Sequence, residues 1–142
     1  MKMNRKFWFV LIFVIGFSNY TDYQAQVAVI ANKSLSVKSI DTNTLINIYT
    51  LQSNELNAQK IKLFFLTEDS PTSKSILDKI GKTTGELKKI WLKAKLTGNG
   101  NPPEFVSTEA DMIQKIEMVP NSIGFVRLNT APSDVKVLLK IE

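Results

Sequence analysis

Few residues of this 142-residue chain are equipped for chemistry, and one stretch gathers most of them. The sequence contains neither Cys nor His. Thiolate nucleophiles, Cys/His zinc centres and every His-dependent catalytic triad are therefore excluded, which leaves Asp, Glu, Lys, Ser and Thr. In Thr67-Glu-Asp-Ser70-Pro-Thr-Ser73, a Ser followed by Pro is the pattern of an N-cap and the first helical position. The hydroxyls of Ser70, Thr72 and Ser73 then stand beside the orphan amides of Thr72 and Ser73, a set of donors suited to an oxyanion. Simple capping by Ser70 is the competing reading. Glu68 and Asp69 are adjacent acids just before a helix, where they complement its dipole rather than form an acid-base pair. No enzymatic activity, metal or cofactor is expected. Two further places let backbone approach a ligand because glycine has no Cβ: Gly98 and Gly100 in Gly98-Asn-Gly-Asn-Pro-Pro103, and Ser122 and Gly124 in Asn121-Ser-Ile-Gly124. Trp91 falls on an apolar helical face and reads as core.

The elements that must position these residues begin after a leader. Met1 to Lys6 carries three cations, and the apolar run Phe7–Phe17 precedes a polar stretch, as in a secretory signal peptide. Eleven apolar residues make a helix of about 16 Å, short of a ~30 Å hydrocarbon core. Cleavage is expected after Ala25, leaving residues 26–142 exported to the periplasm or beyond. No Cys is present to carry a lipid. The whole chain has net charge +5, and removal of residues 1–25 leaves +3 over 117 residues. Seven of the aromatic residues lie in the leader and six remain. So mild an excess with so few stacking platforms argues against nucleic acid as a partner.

Residues 26–142 read as one domain in which strands and helices alternate. Val27–Ile30 is a short buried-strand run. Asp41 caps a helix through Leu51 with Leu45, Ile48 and Tyr49 on its inner face. Ile61–Leu66 is a second strand, and the Ser70-Pro71 helix buries Ile76, Leu77 and Ile80. Thr83-Thr-Gly-Glu86 fits a capping box and opens a helix to about Leu96, with Leu87, Ile90, Trp91 and Ala94 inward. Its Lys88, Lys89, Lys93 and Lys95 do not form one stripe and read as a solvated face. Ser107 or Thr108 caps a last helix ended by Pro120, and Ser122–Val126 and Val135–Ile141 are closing strands. The plan is α/β, a mixed sheet flanked by helices.

In order and spacing, several of these segments resemble the substrate-binding proteins of phosphate ABC transporters, in particular short, single-lobe members of the periplasmic-binding-protein-like (PstS-type, type II) superfamily. They are Val27-Ala-Val-Ile-Ala-Asn32, Ile40–Tyr49, Ser70-Pro71-Thr72, Leu96–Pro103 and Val119-Pro-Asn-Ser-Ile-Gly-Phe-Val126. The resemblance implies a solute-binding role with phosphate or a similar small oxyanion as ligand and a membrane transporter or envelope protein as partner. It implies an anion site at the Ser70 helix start, where relatives carry Ser-Gly-Thr and an Arg four residues earlier. Here Pro71 replaces the Gly and Leu66 the Arg. One amide and one charge-assisted fork are thereby lost. An envelope interaction module that keeps the fold without binding ligand is the alternative that the same residues leave open.

Overall fold

The computed structural model describes residues 26–67 and 69–142. The expected signal peptide, its expected cleavage after Ala25, and Glu68 lie outside the described residues. Five strands form the main sheet: β1 (Val27–Ala31), β4 (Lys62–Leu66), β5 (Glu104–Val106), β6 (Ser122–Arg127) and β7 (Lys136–Ile141), in the order β5-β4-β6-β1-β7. Between β1 and β4 lie helix α1 (Thr42–Tyr49) and a hairpin of β2 (Glu55–Leu56) with β3 (Gln59–Lys60). Helices α2 (Pro71–Ile80) and α3 (Thr84–Thr97) join β4 to β5, and α4 (Glu109–Met118) joins β5 to β6.

The sheet is mixed, as expected. β4 pairs in parallel with both β5 and β6, whereas β1 runs antiparallel to β6 and β7. The closing strands do not pair with each other, because β1 lies between them. All five residues of β1 are buried. A strand with no solvent-facing side chain is stable only with a partner on each edge and cover on each face.

Side chains alternate across β6. Gly124 points to Met112 and Ile116 of α4, and Phe125 points the other way, to Tyr49 of α1. Helices thus cover both faces. The Phe125 face holds edge-to-face contacts among Tyr49, Phe65, Trp91, Phe105 and Phe125, with centroids 5.0 to 6.2 Å apart. Each buried aromatic contributes roughly 1.5–3 kcal/mol through removal from water, and well-oriented ring pairs add about 0.5–1.5 kcal/mol. The polar atoms of this cluster are paired: the Trp91 indole donates to Tyr49 O at 2.7 Å, and the Tyr49 hydroxyl donates to Phe64 O at 3.0 Å. Burial pushes the Tyr49 phenol well above its ordinary range.

Helix starts follow the sequence closely. Asp41 Oδ1 accepts from the Thr44 amide at 2.8 Å, and hydrogen bonding from the Thr44 side chain, with that of its amide, holds the Asp41 carboxyl below the usual range. Thr83 and Glu86 complete the capping box, and Thr108, rather than Ser107, caps α4. Three details differ from expectation, the first being β5, a three-residue strand not foreseen between the Gly98–Pro103 loop and the last helix. α1 ends at Tyr49, two residues early, because Thr50 caps it and Leu51 takes a left-handed conformation at φ 58. The stretch after it holds the β2–β3 hairpin, turned by Asn57 and Ala58, both with positive φ.

Candidate functional site

β4 ends at Leu66 and the chain turns directly into α2. Ser70 adopts an extended conformation and its Oγ accepts the Thr72 amide at 3.1 Å, so the cap is made as the sequence implies. Pro71 occupies the first turn and has no amide to offer. Ser73 is fully buried; its hydroxyl donates to Leu66 O at 3.2 Å and to Thr67 O at 3.0 Å. Thr72 is buried as well. Two of the donors that the sequence aims at open space are therefore used internally, the Thr72 amide by Ser70 and the Ser73 hydroxyl by the end of β4.

A cleft of about 570 Å³ opens beside this helix start, with Ser70, Thr72, Lys74, Glu109 and Arg127 in its lining. Topology explains the convergence. β4 and β6 are parallel, so their carboxyl ends lie on the same edge of the sheet; Ser70 follows the first and Arg127 is the last residue of the second. α4 begins on that edge too, after β5, and brings Glu109. The Arg127 guanidinium Nε donates to Glu109 Oε2 at 2.9 Å, and the Arg127 backbone amide donates to Oε1. The Arg127 side chain remains 51% exposed against 18% for Glu109, so the arginine fork faces the cleft while its partner is largely covered. Lys74 is paired with Asp78 at 3.0 Å. Asp78, Glu109 and Glu142 thus face Lys74 and Arg127 across one opening, and this balance of charge limits how tightly an anion is held.

The remaining sequence-derived residues do not join this cleft. Gly98 caps α3 in a left-handed conformation, and Gly100 lies against Leu51 and Ala94. With Asn101 and Pro102, Gly100 lines a separate recess beside Lys62 and Leu63, at the amino end of β4. Ser122 pairs with Lys62 at that same end, is fully buried, and donates its hydroxyl to Ile116 O at 3.3 Å and Val119 O at 2.7 Å. Gly124 is packed under α4, where a Cβ would stand 2.3 Å from Met112 Sδ. Ser70, Thr72 and Ser73 occupy one edge of the sheet, and Gly100, Ser122 and Gly124 belong to the other edge or to the core. Arg127 and Glu109 were not among the residues that the sequence singled out. Only the three-dimensional return of β6 beside β4 places them at the Ser70 turn.

No protein-family model matches the sequence, and no curated protein is significantly similar to it. Solved structures do match in shape. A phosphate ABC transporter substrate-binding protein with bound phosphate from Clostridium perfringens superposes with a TM-score of 0.67 at 16% identity, over 81% of this chain and 45% of its own. An ABC-type phosphate transport receptor from Vibrio cholerae gives a TM-score of 0.64 at 18% identity, over 81% of this chain and 46% of its own. PstS from Borrelia burgdorferi gives 0.61 at 18% identity, over 81% and 50%. This chain has a single-lobe PstS-like fold. It spans about half the length of these phosphate-transport proteins, and at such identities the likeness is one of fold. Among the described residues no group of acidic side chains is placed to hold a metal ion.

Proposed function

We propose that the chain is an exported solute-binding-like protein related to phosphate ABC transporter substrate-binding proteins, and that its cleft takes a small oxyanion such as phosphate weakly. The observation that carries this reading is the shared lining of one cleft by the Ser70 helix start and the Arg127 guanidinium. Arg127 supplies from β6 the charge-assisted fork that Leu66 cannot supply from β4. The matching structures from Clostridium perfringens and Vibrio cholerae are described as phosphate-transport proteins, which supports phosphate as the oxyanion to test first. Thermal denaturation with phosphate, sulfate and small carboxylates tests the reading, because a ligand of the folded state raises the melting temperature. Phosphate or sulfate at millimolar concentration is expected to raise it by more than acetate does; no rise with any of them rejects the proposal.

A second reading is an envelope interaction module without ligand, and two hydrogen bonds favour it. Glu109 already occupies Arg127, and Ser70 already occupies the Thr72 amide. Under that reading phosphate leaves the melting temperature unchanged and the surface alone carries the function.

A further inference from the structure

The outer face of α3 lies away from the cleft and combines two features that a merely solvated helix does not need. Leu92 and Leu96 are 57% and 77% exposed, one helical turn apart. At ~100° per residue, Lys89 lies about 60° to one side of Leu92 with Lys93 beyond it, and Lys95 lies about 60° to the other side. All three lysines are exposed, and Glu86, whose carboxylate accepts the Thr83 amide, is the one acid in the helix. Lys88 adds its ammonium over the exposed ring of Phe105, 5.8 Å from the centroid. The helix is held from behind by buried Leu87 and Trp91, the latter through its bond to Tyr49 O, so this face is rigidly presented.

We infer that this face adsorbs to an anionic lipid surface, with Leu92 and Leu96 entering the headgroup boundary and the flanking lysines reaching phosphate groups on either side. Charge complementarity selects this occupant. Protein interfaces centre on aromatic and Arg anchors and are depleted of Lys. An aliphatic pair bracketed by long cationic stems is instead the arrangement of interfacial helices, in which lysines cover apolar surface while their heads stay wet. No described helix is long and apolar enough to cross a membrane, so the contact is surface adsorption. The inference does not depend on oxyanion binding in the cleft.

Sedimentation with vesicles tests it, using the full chain and a chain beginning at Gln26, each checked for a cooperative melt. Both chains are expected to bind phosphatidylcholine vesicles containing phosphatidylglycerol, to bind pure phosphatidylcholine far less, and to release as salt rises. Leu92→Gln with Leu96→Gln should weaken binding roughly tenfold or more, and Lys89→Gln with Lys93→Gln about fivefold per lysine. These positions are exposed, so the variants should keep the parent melting temperature. Failure of the Gln26 chain to bind anionic vesicles overturns the inference, as does equal binding by the leucine variant. Retention on immobilised polyglutamate without vesicle binding overturns it in favour of an acidic protein partner.

Discussion

Glu109 holds Arg127 at two points, Oε2 accepting from the guanidinium Nε at 2.9 Å and Oε1 from the Arg127 backbone amide. One carboxylate therefore fixes both the end of β6 and the direction of its terminal side chain. An incoming oxyanion has to share the guanidinium with this carboxylate. Glu109→Gln keeps an amide oxygen able to accept from the Arg127 backbone but removes the competing charge. Phosphate affinity of that variant is expected to rise by roughly tenfold, about 1.4 kcal/mol. An unchanged affinity by equilibrium dialysis would mean that the anion does not meet Arg127.

The Ser70 cap makes a stability prediction separable from binding. Ser70→Ala removes the acceptor of the Thr72 amide and should lower unfolding free energy by about 1 kcal/mol in a urea titration. Ser70→Asp restores an acceptor and should recover most of that loss. Equal stability of wild type and the alanine variant would show that the cap contributes nothing.

Gly124 gives a packing prediction. A methyl group at this position would meet Met112 Sδ at 2.3 Å and Ile116 Cδ1 at 3.2 Å. Gly124→Ala is expected to destabilise by about 1–3 kcal/mol. Combining it with Met112→Ala should give less destabilisation than the sum of the two single changes, because the shorter side chain makes room. Additive losses would place the strain elsewhere.

Tyr49 sets an alkaline limit. Its folded pKa is raised by burial above the ordinary value of 10.0, so the folded state keeps a proton that the unfolded state releases. The Tyr49 contribution is fully present below pH ~10 and declines above it, by up to ~1.4 kcal/mol per pH unit. Tyr49→Phe removes that part of the slope. Because the hydroxyl's bond to Phe64 O is lost, it also costs about 0.5–1.5 kcal/mol at neutral pH. Denaturant titrations across the alkaline range compare the two slopes; identical slopes would contradict the assignment.

Local chemistry made much of this molecule legible in its sequence. Asp41, Ser70-Pro71, Thr83 with Glu86, and Thr108 each satisfy amides within three residues, and the helices start where those residues stand. Features that depend on distant partners were not legible in the same way. β1 pairs with both β6 and β7, a choice made by burial on two faces rather than by any local signal. The hairpin at Asn57-Ala58 lacks the glycine that marks most such turns, and β5 is only three residues long. Half of the candidate site was visible, the Ser70 turn. The other half was not, since Arg127 and Glu109 lie 18 residues apart and meet the turn only through parallel pairing of β4 with β6.

Calorimetric titration of the chain with phosphate, beside the same titration of Arg127→Gln, decides whether the cleft holds an oxyanion through Arg127. A saturable heat with a dissociation constant on the order of millimolar is expected for the parent chain, weakened at least tenfold in the variant. Absence of a saturable heat, or an identical isotherm for Arg127→Gln, would contradict that expectation.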